Sequence, residues 1–178
     1  MTSSTNDNSK ENSIKILLVG LDNSGKTSIL TCLKGIKRIS AFNALKPTRG
    51  AFWNDFNALS NNYVVVDLGG QEAFREEYLS DFTDLLSGTK KIIYVIDIQD
   101  SDRYEEALEY MQRVLNQINN PYHVDFSIFL HKYDSDLEFD ENKIDKLIRK
   151  IKQTIPANFP YSIHKTSIYA TFEKTMII

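Results

Sequence analysis

Gly20-Leu21-Asp22-Asn23-Ser24-Gly25-Lys26-Thr27 is the stretch that decides how this chain folds. It matches G-x-x-x-x-G-K-[ST] in the context that gives the pattern physical meaning. The apolar run Ile14 to Val19 precedes it, and Thr27 to Ile36 after it has the spacing of a helix. A strand that turns through glycines into a helix aims several backbone N–H groups at one point. The helix N-terminus adds the positive end of its dipole, so the turn suits a phosphate. Lys26 supplies a point charge to β and γ phosphates, and the Thr27 hydroxyl suits Mg²⁺. The candidate nucleotide contacts here are Asp22, Asn23, Ser24, Gly25, Lys26, Thr27 and Ser28. The motif alone does not separate GTP hydrolases from ATPases or nucleotide kinases.

Outward from this turn, strand-like runs alternate with helical patterns, the order that builds a parallel sheet covered by helices on both faces. Ala51 to Leu59 and Tyr63 to Leu68 flank Ser60, Asn61 and Asn62, which predict a hairpin turn. That hairpin makes the second strand the antiparallel member at the sheet edge. Lys91 to Ile98, Phe126 to His131 and Tyr161 to His164 complete a six-stranded, mostly parallel α/β sheet. Leu108, Met111, Leu115 and Ile118 mark one crossover helix, and Ile144, Leu147, Ile148 and Ile151 another. A final short helix is expected from Thr171; a longer native chain would account for its shortness.

The 178 residues suit one domain, and 42% hydrophobic with 25% charged residues is ordinary for a globular chain. The apolar runs are strand-length, far short of a bilayer span. A net charge of −3 gives no bulk attraction to nucleic acid. The single cysteine, Cys32, forms no internal disulfide and reads as a small apolar filler. Residues 1–13 are polar and aperiodic and are expected to form a disordered tail, which leaves 14–178 as the folded domain.

Three further segments narrow the chemistry. Lys46-Pro47-Thr48-Arg49-Gly50 lies in a loop before the edge strand, where Thr48 can give its hydroxyl to Mg²⁺ and its N–H to a γ phosphate. Val64-Val65-Val66 leads into Asp67-Leu68-Gly69-Gly70-Gln71, placing a carboxylate at a strand's C-terminal end, where α/β sheets bind ligands. Asp67 is the candidate Mg²⁺ carboxylate alongside Thr27 and Thr48. Gly70 leaves its N–H open to a γ phosphate, and Gln71 can orient an attacking water. The candidate catalytic residues are thus Gln71, Lys26 and Thr48. Last, His131-Lys132-Tyr133-Asp134 follows the fifth strand. Asp134 can accept two hydrogen bonds from the guanine ring N–H and exocyclic amine, a donor pair that adenine lacks. Lys132 can lie along a base, and the backbone at Ser167 and Ile168 can donate to the guanine keto oxygen.

These motifs, in this order, resemble the Ras superfamily of small GTPases. G-L-D-N-S-G-K-T and D-L-G-G-Q are most similar to the Arf and Arf-like branch, as is the compact hairpin over 51–66. H-K-Y-D and T-S-I-Y are instead similar to the base-binding motifs of Rag GTPases. The resemblance implies a P-loop G domain that binds GTP, GDP and Mg²⁺, hydrolyses GTP slowly and works as a switch. Exchange-factor, GTPase-activating and effector proteins would be its partners. Arf proteins carry Met-Gly for myristoylation and an amphipathic N-terminal helix; here Thr2 follows Met1 and the tail is polar, so neither anchor is expected. A cytoplasmic protein, open to recruitment by partners at membranes, is the corresponding expectation. The alternative is a GTP-binding scaffold without useful hydrolysis, including a dimerising regulator of the Rag type.

Asp22 stands beside the expected γ-phosphate position, where its carboxylate would repel that phosphate, contact an activating protein or simply form the turn. The aromatic residues Phe52, Trp53, Phe56, Phe74 and Tyr78 lie in or near the two nucleotide-sensing loops and offer either a partner surface or core.

Overall fold

The computed structural model describes residues 13–36, 41–42, 44–58 and 61–168. Its elements run β1 (Ser13–Val19), α1 (Lys26–Leu33), β2 (Ala51–Ala58), β3 (Asn61–Leu68), α2 (Glu72–Ser80), α3 (Phe82–Leu86) and β4 (Thr89–Asp97). They continue through α4 (Tyr104–Leu115), β5 (Asp125–His131), α5 (Glu141–Thr154) and β6 (Tyr161–Lys165). The six strands form one sheet in the order β2-β3-β1-β4-β5-β6. All neighbours are parallel except β2 and β3, so the antiparallel strand is at the edge as expected. The expected helix from Thr171 and residues 1–12 of the expected tail lie outside the described residues; Ser13 is the first residue of β1, opposite Asn62.

Alternation along the strands sorts the core into two layers. Ile16 and Leu18 of β1 face α1 with Ile29, Leu30, Val65, Ile93 and Val95. Leu17 and Val19 face the other way, into a larger core that includes Tyr94, Phe126, Leu130, Met111, Val114, Leu147 and Ile151. The stripe Leu108, Met111, Leu115 and Ile118 is buried throughout. Tyr94 is buried whole, and its hydroxyl donates to the carbonyl of Ala107 at 2.6 Å, so the polar tip costs the core little.

Some boundaries differ from the sequence expectation for local reasons. The first helix stops at Leu33 rather than Ile36 because Gly35 takes φ 75°. Its N–H bonds to Cys32 O and that of Ile36 to Thr31 O, the two bonds of a Schellman stop. Asn61 and Asn62, expected in the hairpin turn, belong to β3, where they pair with Ala58 and Asn57. Helix α2 was not expected from the sequence: it is short, mixes Glu72, Arg75, Glu76 and Glu77 with Phe74, Tyr78 and Leu79, and has no side-chain N-cap.

Order in the sheet places the site. Chain connections leave β1 for β3 on one side and β4 on the other, so a crevice opens beyond the carboxyl end of β1. The loops after β1, β3, β4 and β5 all begin at that edge.

Candidate functional site

The loop after β1 closes around the ammonium of Lys26, which is 5% exposed. Its Nζ donates to Leu21 O at 2.6 Å, to Gly20 O at 2.9 Å and to Ser24 Oγ at 3.4 Å. Burial pushes its pKa down to about 8, against the pull of Asp67 and Asp22, so it keeps most of its charge at neutral pH. Three neutral acceptors are a poor match for a buried cation, and a polyanion is a better one. Asn23 sits at φ 58°, the left-handed region that Asn tolerates better than most residues.

The hydroxyls of Thr27 and Thr48 converge on one carboxylate. Thr27 Oγ1 donates to Asp67 Oδ2 at 2.6 Å, Thr48 Oγ1 lies 3.2 Å from the same oxygen, and the two hydroxyls are 2.9 Å apart. Asp67 is 1% exposed, and burial raises its pKa against the Thr27 hydrogen bond and the Lys26 charge. Its other oxygen, Oδ1, is buried with no hydrogen-bond partner. An orphan carboxylate oxygen beside two hydroxyls is a set of hard oxygen donors that fits Mg²⁺. Among the described residues no cluster of three or more His, Cys, Asp or Glu side chains suits a metal. A Mg²⁺ here would therefore draw its remaining ligands from phosphate and water, its usual habit.

Gly70 approaches the phosphate loop backbone to backbone. Its carbonyl accepts from Asp22 N at 3.0 Å, and a Cβ on Gly70 would lie 2.2 Å from that same nitrogen. Gln71 caps α2 with extended backbone and is half-buried. Asp22, Asn23, Gly25, Lys26, Thr27, Ser28, Thr48, Gly70 and Gln71 line one cavity of about 300 Å³, together with Leu45, Lys46 and Pro47. Ser24 is buried at its base, in contact with Lys26.

The expected base-binding residues gather beyond β5. Tyr133 N donates to Thr166 O at 3.0 Å and Thr166 N to Leu130 O at 2.9 Å, which ties the loop after β5 to the one after β6. Ser167 donates to Asp134 Oδ1, and Gln99 Nε2 to Asp134 Oδ2 at 3.2 Å. Ile168 follows, half-buried. Lys132 adopts φ 62°, and its ammonium reaches Asp97 Oδ2 at 2.6 Å. His131 has a different role from its neighbours. It is 2% exposed, its Nδ1 lies 2.9 Å from Thr166 Oγ1, and its ring backs onto Gly25, where a Cβ would meet His131 Cδ2 at 2.4 Å. Burial pushes its pKa down to about 4, so the imidazole is neutral and joins the loop after β1 to the loop after β6.

Sequence reasoning missed Asp97, Gln99 and Arg103. Asp97 carried a readable signal, a carboxylate closing a buried strand as Asp67 does. Arg103 gave none: it reaches Asp22 from 81 positions away.

Comparison with known proteins gives a consistent placement. The model of the ADP-ribosylation factor family matches residues 1–173. The ADP-ribosylation factor-like protein alp41 of Schizosaccharomyces pombe is 34% identical over 106 residues, 60% of this chain. The matched segment spans about half of that relative, 53% of its length. Among solved structures, the Arl6 BBS3 small GTPase from Trypanosoma brucei with bound GppNp superposes with a TM-score of 0.71 at 20% identity, over 93% of this chain and 94% of that one. The mammalian SRP receptor superposes with a TM-score of 0.65 at 17% identity, over 86% and 90%. Both share the sheet and helix arrangement described above. With the phosphate loop, the Thr27, Thr48 and Asp67 cluster and a family match over nearly its whole length, the chain belongs to the ADP-ribosylation factor family.

Proposed function

We propose that this protein binds GTP and GDP with Mg²⁺ and works as a switch whose intrinsic GTP hydrolysis is slow. The observation that carries the reading is the meeting of Thr27, Thr48 and Asp67 beside the buried ammonium of Lys26. Thr48 belongs to the loop before β2 and Gly70 to the loop after β3, yet both touch the phosphate loop or its neighbours. A third phosphate bound there would hold both loops, and its loss would release them.

Lys26 and the amides of residues 22–28 hold the phosphates in this mechanism. Thr27, Thr48 and Asp67 would hold Mg²⁺, which when bound would supply positive charge to the phosphate oxygens. Gln71 orients water in line with the bond to be broken, and no covalent intermediate is needed. Asp134, oriented by Ser167 and Gln99, selects guanine; Lys132 and the backbone near Ile168 flank the base. His131 supports that site from behind rather than touching the base. The Trypanosoma brucei neighbour was solved with GppNp, a nucleotide analogue, which supports the same reading.

Exchange-factor, GTPase-activating and effector proteins are the partners this function calls for. Phe52 and Trp53 stand exposed on β2, at 54% and 57%, and offer them apolar surface. Phe56 instead stacks on Tyr63, while Phe74 and Tyr78 pack in the larger core. Among the described residues no helix is long and apolar enough to cross a membrane. We place the protein in the cytoplasm, recruited to membranes by partners.

Single-turnover hydrolysis with protein in excess of GTP tests the reading. The expected rate is on the order of 10⁻⁴ to 10⁻² per second. Turnover near one per second would contradict slow intrinsic hydrolysis. GTP that persists unchanged, even with cognate partners present, would favour the scaffold reading.

A further inference from the structure

A cavity suited to a polyanion contains a carboxylate. Asp22 is the one acidic side chain among the described residues that line it, and its backbone N–H is bonded to Gly70 O. An uncompensated carboxylate there repels a third phosphate more than it repels two. The compensation comes from a distant turn, residues Ser101–Arg103 ahead of α4. Arg103 Nη1 donates to Asp22 Oδ1 at 2.8 Å and Nη2 to Asp22 O at 3.3 Å. The same guanidinium is gripped by Asp100, whose Oδ2 accepts from Nε at 2.6 Å and lies 2.5 Å from Nη2. Asp100 therefore fixes the planar fork, and the fork holds both the side chain and the backbone of Asp22.

We propose that Arg103 is a positioning residue that, fixed by Asp100, neutralises Asp22 and turns its carboxylate away from the third phosphate, and so sets the preference for nucleoside triphosphate over diphosphate. This rests on the nucleotide-binding reading above. The side chains of Arg103 and Asp22 are 32% and 44% exposed, so the pair adds little to folding stability. Its effect falls on a terminal phosphate that carries about two negative charges, where removing one positive charge matters more.

The test is the ratio of affinities for a non-hydrolysable GTP analogue and for GDP, both with Mg²⁺, read by fluorescence titration. Arg103→Ala is expected to lower the analogue-to-GDP ratio by about tenfold. Asp22→Asn is expected to raise it, and Asp22→Asn combined with Arg103→Ala to return it to within about twofold of the parent value. An unchanged ratio in Arg103→Ala, or a loss that persists in the double variant, would overturn the inference. So would an unchanged ratio in Asp22→Asn, which keeps the size of a half-exposed side chain and decides the matter even where Arg103→Ala fails to fold. A parent protein that binds neither nucleotide refutes the nucleotide reading and this inference with it. Nucleotide binding by the parent with an indifferent Arg103 refutes the inference alone.

Discussion

Replacing Lys26 by methionine is expected to weaken guanine-nucleotide binding by about 3 kcal/mol, roughly a hundredfold in Kd. The Lys26 ammonium is buried inside the phosphate loop, and a phosphate bound there would lose that charge at close range. Stability of the nucleotide-free protein should move differently. In that state the cation is desolvated and satisfied only by Gly20 O, Leu21 O and Ser24 Oγ, and burial already lowers its pKa to about 8. Methionine fills the same space without a charge to desolvate, so the unfolding midpoint should stay level or rise. Isothermal titration calorimetry and denaturant unfolding read the two effects on one preparation. Parallel losses of affinity and of nucleotide-free stability would mean that Lys26 is a structural residue.

Gly25→Ala should be strongly destabilising for a single added methyl. Two penalties coincide: Gly25 has φ 95°, where an L side chain is strained, and the added Cβ would lie 2.4 Å from His131 Cδ2 and 2.8 Å from Nε2. The imidazole has little room to give way, since it is 2% exposed and bonded to Thr166. Backbone strain and overpacking together should cost about 3 kcal/mol, a fall of about 10 °C in Tm for a chain of this size. Adding His131→Ala removes the collision but leaves the strain, so the double variant should melt above Gly25→Ala. Unchanged melting in Gly25→Ala would show that the phosphate loop and the base loop are not in contact. This junction also bears on function, because a shift there moves the phosphate and base halves of the site relative to each other.

The centre of the sheet was legible because β1, β3, β4 and β5 carry apolar runs that are buried on both faces, and the sequence reports that directly. The phosphate loop was legible because glycine spacing, lysine and threonine fall together within eight residues. Thr48, Asp67 and Asp134 could be proposed singly from their places after or before strands, but their meeting depends on strand order, which periodicity does not encode. Helix α2 escaped notice because it is short and its core-facing side mixes Arg75 with Phe74, Tyr78 and Leu79. His131 lies in H-K-Y-D, a stretch similar to a base-binding motif; its packing against Gly25 depends on two loops that only the sheet brings together. Arg103 shows the same limit more sharply. Nothing local marks an arginine in a polar turn as the partner of an aspartate in the phosphate loop; the pairing exists because β4 lies beside β1.

The proposed switch requires a site that takes guanine nucleotides and to which Mg²⁺ belongs. The most direct measurement is displacement of fluorescent GDP from the purified protein by GTP, GDP and ATP, with Mg²⁺ and with it chelated. A guanine-nucleotide switch gives displacement by GTP and GDP, no displacement by ATP at the same concentrations, and faster release once Mg²⁺ is removed. Equal displacement by ATP, or release indifferent to Mg²⁺, would contradict it.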